Sequence, residues 1–366
     1  ISYEAELKMK ADHVKDCFER IGHIETEVRP IKHGQDLRYR NKAQYPLEEG
    51  KEGLKIGFYA RRSHRVVDCR DCLLQPKSFE AIVNAFDKWI KKHNIPTYDE
   101  AEQKGLLRHI YIRQAHRTGQ VMVCPVINGK QLPFAEALIE SLLKADPNIK
   151  SIVLNINTEN TNVVLGEKSL TIWGSDYITD RLCGLDFRIS PLSFYQVNTK
   201  GAEILYGQAA EYAGLTGKET VLDLYCGAGT IGLCMADKAK EIIGVESVPQ
   251  AVEDAKVNAQ INNINNARFI CADAAQAAEQ LKAEGVNPDV IILDPPRKGC
   301  APELLHTVAQ MNPGRIVYVS CDPATLARDC AIMKELGYET VEVTPVDMFP
   351  RTGHVESVAL ISRVDN

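Results

Sequence analysis

From Glu219 to its end the chain repeats one pattern: a short apolar run, a loop, then an amphipathic helical stretch. The runs are TVLDLYC, EIIGVES, ARFICAD, DVIILDPP and RIVYVSC. Continuous apolar strands that alternate with helices form a parallel sheet covered on both faces. The last two runs, ETVEVTPV and HVESVALISR, have no helix between them, so at least one of them runs antiparallel. In an open parallel sheet, ligands bind in the crevice outside the carboxyl ends of the strands. The residues that close each strand are therefore the candidates for chemistry, and RIVYVSC delivers Cys321 to that edge.

The remaining residues are organised differently. At 366 residues the chain exceeds one ordinary core, and two domains with an accessory segment are expected. Apolar residues at Leu7, Ala11, Val14, Phe18 and Ile21 form one stripe of a helix over residues 2–21, with Ser2 as its start cap and Gly22 at its end. Between about Val28 and Ile178 short alternating segments predict a mostly antiparallel sheet, with helices over 78–93 and 134–144. The expected domains are 1–28, an N-terminal helix whose stripe needs a partner surface; 29–190, a β-rich central domain; and 191–366, the domain of the parallel sheet.

Composition excludes some classes. An apolar fraction of 45% and a charged fraction of 25% are those of a folded globular protein. The sequence holds no uninterrupted apolar run of membrane-spanning length and no signal-peptide pattern, so a cytoplasmic protein with no membrane partner is expected. Eleven cysteines without a framework spacing suit a reducing compartment. A net charge of −6 gives no global nucleic-acid signature, so a local basic face would have to carry that function. Three basic stretches qualify: Arg38, Arg40 and Lys42; Arg61, Arg62, His64 and Arg65; and Arg108, Arg113, His116 and Arg117. Tyr39, Tyr45, Phe58 and Tyr59 lie among them, the mixture of rings and cations that RNA contacts use, though such a cluster is also an ordinary solvated face.

Five crossovers and a terminal hairpin are the build of the S-adenosylmethionine-dependent methyltransferase fold, a Rossmann-like, mostly parallel seven-stranded α/β sheet. Dinucleotide dehydrogenases lack that hairpin. Gly227, Gly229 and Gly232 in VLDLYCGAGTIGL let the backbone turn sharply and approach a ligand, a weak signal by itself. Glu246, Asp273 and Asp294 close the next three strands. Each could be a helix cap, but together they suit a cofactor with a ribose, an adenine amine and a cationic end, and would repel a pyrophosphate. Asp294-Pro295-Pro296 resembles the Asp-Pro-Pro-aromatic motif of amino-group methyltransferases, but Arg297 stands where the ring should be. Carbon 5 of a pyrimidine is a poor nucleophile, and a thiolate adding to carbon 6 makes it enolate-like and able to take a methyl group. Cys321 is the candidate thiolate, with Arg328, Arg297 or His354 able to favour the anion. A base must then remove the carbon 5 proton, and Glu356 is the candidate, its alternative being an exposed strand-edge acid.

DPPRKG, SCDPATLARD and MFPRTGHVE, in order after DLYCGAGT, resemble the RNA uracil-5-methyltransferases, which make 5-methyluridine in ribosomal or transfer RNA. LLRHIYIR and FYQVN extend the resemblance over the whole chain. It implies that 191–366 is the catalytic domain, that 1–28 is a helix packing on it and that 29–190 is an RNA-binding domain; it implies too that Cys321 is the nucleophile and Glu356 the base. It also implies that Gln196, Tyr225, Glu246 and Asp294 contact S-adenosylmethionine, with Asp273 near the adenine; Thr230 stands where some members have asparagine. Asp322 replaces the asparagine usual after the cysteine, and its charge should raise the thiol unless the carboxylate turns away. The chain begins without methionine, directly in a helix, and is expected to be an N-terminally truncated form of a longer protein. Relatives carry three cluster cysteines before this point, so Cys72, which makes a Cys-x-x-Cys with Cys69, would be the fourth ligand of a 4Fe-4S cluster not expected in this fragment. The implied substrate is structured RNA, 23S ribosomal RNA ahead of transfer RNA, with no DNA partner and a monomer as default. The competing readings are transfer-RNA uridine methylation, amino-group methylation through DPPR, and an RNA-binding module with vestigial catalysis.

Overall fold

The computed structural model describes residues 1–50 and 53–364. The chain divides into two compact units, one of Ile1–Asp36, Leu182–Asp186 and Ser193–Asn366, the other of Leu37–Arg181 and Phe187–Leu192.

The first unit is built on seven strands: Thr220–Leu224, Glu241–Glu246, Ala267–Cys271, Val290–Leu293, Arg315–Ser320, Tyr338–Asp347 and Glu356–Arg363. Numbered along the chain, they lie in the order 3-2-1-4-5-7-6. The first five are parallel, and the seventh pairs antiparallel with both the fifth and the sixth. The order reverses between the first and fourth strands, and the crevice outside their carboxyl ends is where an open sheet receives its ligand. Two short segments, Glu27–Val28 and Lys32–His33, extend the sheet alongside the sixth strand.

The N-terminal helix Tyr3–Cys17 starts at Ser2, whose Oγ accepts the Ala5 N–H at 3.2 Å. Gly22 ends the helical run but is not its cap. A π turn, Phe18–Gly22, follows, and His23 takes the left-handed conformation instead. The turn shifts the apolar phase, so that Val14, Cys17, Phe18 and Ile24 are buried while Ile21 is 47% exposed. Gly22 serves close packing, because a Cβ there would lie 2.9 Å from the Ala327 carbonyl oxygen. The helix thus packs on Pro323–Glu335, the helix that follows Cys321, within one core that includes Leu326, Ala327 and Tyr318. Burying Phe18 alone is worth about 1.5–3 kcal/mol. Lys10, on the same side, is 4% exposed and donates to Asp347, itself fully buried, and to Glu6, both at 2.8 Å. It also donates to the Phe349 carbonyl at 3.1 Å, while Tyr3 donates to the other Asp347 oxygen. This network holds the segment that leads into Glu356.

The second unit is a seven-stranded sheet with helices Ser78–His93 and Ala135–Ala145. All its pairings are antiparallel except that of Val121–Ile127 with Ile149–Ile156, where the second helix makes the crossover. Its core gathers Phe79, Phe86, Trp89, Ile110 and Ile152.

Candidate active site

Strand register brings the two ends of the proposed chemistry together. Ser320 of the fifth strand pairs with Ser357 of the seventh, so Cys321 leaves its strand at the level where Glu356 opens the neighbouring one. Ser320 fixes the exit: its Oγ accepts the Asp322 N–H at 3.1 Å and donates to the Asp322 carbonyl at 3.0 Å, bridging across the cysteine. Asp322 turns away from the sulfur. Its carboxylate caps the next helix, accepting from the N–H groups of Ala324 at 3.0 Å and Thr325 at 3.2 Å.

The charges that act on Cys321 come from other strands. Burial raises its thiol above the ordinary range, the Glu356 carboxylate raises it further, and a hydrogen bond with Arg297 opposes both. Arg297 Nη2 lies 2.9 Å from His354 Nδ1, so the ring nitrogen accepts and the guanidinium is held between the imidazole and the thiol. Arg328, the other candidate cation, is committed elsewhere. It donates to Asp329 and to the Lys298 carbonyl at 2.9 Å. Asp329, completely buried, also accepts from the Cys300 N–H and the Tyr318 hydroxyl, and so locks the fifth strand to the DPPRKG loop.

Glu356 is not an exposed edge acid. It is 5% exposed, and burial, followed by the Asp294 charge, pushes its carboxyl up to about 8, against Arg297. Asp294, next to the fourth strand, is pushed up to about 7 by burial.

Asp223 was missed in the sequence because it hides inside the apolar run VLDL; an acid in a strand buried on both faces was the available signal. It is 1% exposed and rises to about 8, by burial and then by Asp294. One oxygen accepts the Gly232 N–H at 3.1 Å, and Oδ1 is buried without a hydrogen-bond partner among the described residues. Glu246 closes the second strand and accepts from the Gly227 N–H at 3.1 Å and the Val248 N–H at 2.9 Å. Gly227 has φ +55°, and a Cβ there would meet nothing within 4 Å, so the glycine serves the turn and leaves open space beside it. Tyr225, also at positive φ, has its hydroxyl raised by burial and then by Cys300. Tyr206, a second missed residue, is 2% exposed and shares its hydroxyl with Thr230 at 3.2 Å and with Gln196. Asp273 is exposed and caps the helix Ala274–Ala283, accepting from Ala275 and Gln276 N–H.

These residues fit S-adenosylmethionine. Asp223, Glu246 and Asp294 are carboxylates whose mutual repulsion a cationic ligand would relieve, and one of them keeps an unsatisfied oxygen. Iron is another matter. Cys69 and Cys72 in the second unit lie within hydrogen-bond reach of each other, two thiols where a four-iron cluster takes four ligands. The described residues contain no group of three or more His, Cys, Asp or Glu side chains that could hold a metal ion.

Comparison with known proteins gives this geometry a family. The family described as tRNA (Uracil-5-)-methyltransferase matches residues 164–364. An RNA methyltransferase of Clostridium tetani is 47% identical over 363 residues, 99% of this chain and 79% of the relative. One from Caldanaerobacter subterraneus is 48% identical over 366 residues, covering 100% and 81%. Among solved structures, the tRNA (uracil-54, C5)-methyltransferase of Pyrococcus abyssi in complex with S-adenosyl-L-homocysteine superposes with a TM-score of 0.81 at 31% identity, covering 99% of this chain and 84% of that one. None of the described helices is long and apolar enough to cross a membrane. The chain belongs to the tRNA (uracil-5-)-methyltransferase family and is an S-adenosylmethionine-dependent RNA methyltransferase.

Proposed function

We propose that the chain methylates carbon 5 of a uridine in structured RNA, with Cys321 as nucleophile and Glu356 as base. The observation that supports this most is the register of the fifth and seventh strands, which sets a thiol and a buried carboxyl at one strand end beside Asp294. Cys321, as the thiolate steadied by Arg297, forms a bond from sulfur to carbon 6 of the uracil. The ring electrons move towards the carbon 4 carbonyl, and carbon 5 becomes able to accept a methyl group. Bound S-adenosylmethionine supplies that methyl group as an electrophile. Glu356, ionised, then takes the proton from carbon 5, the double bond reforms and the sulfur leaves carbon 6 with its electron pair. Asp223, Glu246, Asp294 and Gln196, with Tyr225 and Thr230 alongside, would hold the methyl donor. Asp273, being exposed and occupied as a cap, would stand at its outer end.

The target we favour is 23S ribosomal RNA, through the resemblance carried by Cys72. Transfer RNA is the second reading, favoured by the likeness to the Pyrococcus abyssi enzyme, which acts on uracil 54 of tRNA. Release of tritium from 5-tritiated uridine in 23S ribosomal RNA and in tRNA, assayed separately, decides between them. Cys321→Ala should abolish release and methyl transfer alike. Methylation that survives in this variant would refute the thiol mechanism and return the amino-group reading.

A further inference from the structure

Three basic stretches of the second unit could meet an RNA backbone, and the structure separates them. In the first, the Arg38 guanidinium is bound to Asp71 at 2.5 Å and to the carbonyls of Cys72 and Gln75. Lys42 is half-buried, its ammonium lowered to about 8 by desolvation and by Arg113. In the third, Arg108 is 3% exposed, lies over the Tyr98 ring at 4.4 Å, and donates to the carbonyls of Asn157 and Glu159 at 3.0 and 2.8 Å. Arg113 is 1% exposed. Arg38 and Arg108 are thus bound within the unit, and Lys42 and Arg113 are withdrawn from its surface.

The second stretch is different. Strands Gly53–Tyr59 and Val66–Asp68 form a hairpin with Tyr59 opposite Val66, and its tip is closed by hydrogen bonds from Ala60 N–H to the Arg65 carbonyl at 2.9 Å and from Arg65 N–H to Ser63 Oγ at 2.9 Å. Arg61, Arg62, His64 and Arg65 all project from this tip as exposed residues. Among the described residues no ion pair joins any of the three arginines to a carboxylate. The neighbouring acid, Glu48, is already bound to Lys55 at 3.0 Å and to the Val66 N–H at 2.7 Å. At the base of the tip Tyr59, 39% exposed, lies against His64 with ring centroids 5.4 Å apart and against the edge of His109 at 6.5 Å.

We propose that this hairpin tip is an RNA-contacting element, in which Arg61, Arg62 and Arg65 bind phosphates and the Tyr59–His64 ring pair stacks an unpaired base. The chemistry is that of single-stranded or looped RNA, where cations follow the backbone and rings accept bases without regard to sequence. In a chain of net charge −6, concentrating exposed arginines on one fixed turn places attraction for a polyanion at one spot. The proposal rests on RNA being the substrate.

The test uses the full chain, with a fluorescein-labelled hairpin RNA carrying a uridine-containing loop as probe and KCl from 50 to 300 mM. Arg61→Ala, Arg62→Ala and Arg65→Ala combined should weaken binding at least tenfold. The log–log salt slope should shrink by about 2, since each phosphate contact to a single strand contributes roughly 0.7. In turnover the loss should appear in KM for RNA. The matching triple lysine variant should keep both affinity and slope, and Tyr59→Ala should weaken binding about tenfold with the slope unchanged. An alanine triple within twofold of the parent in affinity and with the parent's slope overturns the proposal, as does an equal loss in the lysine triple, which would mark a structural role. If the parent binds this RNA but releases no tritium from any uridine RNA, the functional reading fails while the slope still decides the role of the tip.

Discussion

Arg297→Met tests the electrostatics of the nucleophile directly. Burial, Glu356 and Asp294 all raise the Cys321 thiol, and the hydrogen bond with Arg297 is the contact that favours the anion. A hydrogen bond to a charged partner contributes roughly 1.5–3 kcal/mol. Arg297 is exposed, so screening reduces this, and about 1.4 kcal/mol is the reasonable expectation, equal to about one pKa unit. The thiolate fraction below the midpoint should then fall about tenfold. A more basic thiolate is also a better nucleophile, by about threefold per unit, so the net fall in alkylation rate should be roughly three- to fourfold. The assay is the rate of iodoacetamide labelling of the Cys321 peptide, followed by mass spectrometry from pH 6.5 to 10, which isolates this thiol from the other ten. The expected result is a midpoint raised by about one unit in Arg297→Met and unchanged in Lys298→Met, the adjacent exposed cation. An unshifted midpoint in Arg297→Met, or an equal shift in Lys298→Met, would refute the reasoning, because a diffuse basic surface rather than one oriented guanidinium would then be setting the thiol.

Three further outcomes follow from the same geometry. Asp322→Asn should leave both labelling and stability near the parent's, because asparagine also caps a helix, whereas Asp322→Ala should cost about 1 kcal/mol in urea unfolding with the labelling midpoint unchanged. Lys10→Met leaves the buried Asp347 without its cation and should cost about 3–5 kcal/mol by urea unfolding, much of it recovered in Lys10→Met combined with Asp347→Leu. Asp223, Asp294 and Glu356 have folded-state values of about 8, 7 and 8, all above those of unfolded carboxyls, so the folded ligand-free protein holds more protons and its stability should fall as pH rises from 6 to 8.5. Asp223→Asn should flatten that decline, and a slope identical to the parent's would show that the buried acid holds no extra proton in the folded state over this range.

What could be read in advance depended on whether a residue's role was fixed along its own segment or across the fold. The parallel strands, the closing hairpin and the positions of Cys321 and Glu356 at strand ends follow from local apolar runs, and Arg315–Ser320 and Glu356–Arg363 lie where those runs put them. Asp273 and Asp322 show the limit of such reading. An acid between a strand and a helix is chemically equipped either to cap or to bind, and both accept two helix N–H groups here. The choice between Arg297 and Arg328 was equally closed to inspection, since both stand near the motif in sequence. It is Asp329, sealed in the core with one oxygen on Tyr318 and Cys300, that draws Arg328 away from the sulfur and leaves Arg297 to His354. Lys10 was invisible for a related reason: a lysine at the margin of an apolar stripe reads as a solvated edge, and only the sixth strand, more than three hundred residues later, supplies Asp347 to bury it. The residues that position the chemistry are therefore mostly those whose partners lie far away in the chain. The thiol's environment is set by acids and a guanidinium from two neighbouring strand ends, those of the fourth and seventh strands, so its reactivity is a property of the sheet order more than of the motif around it.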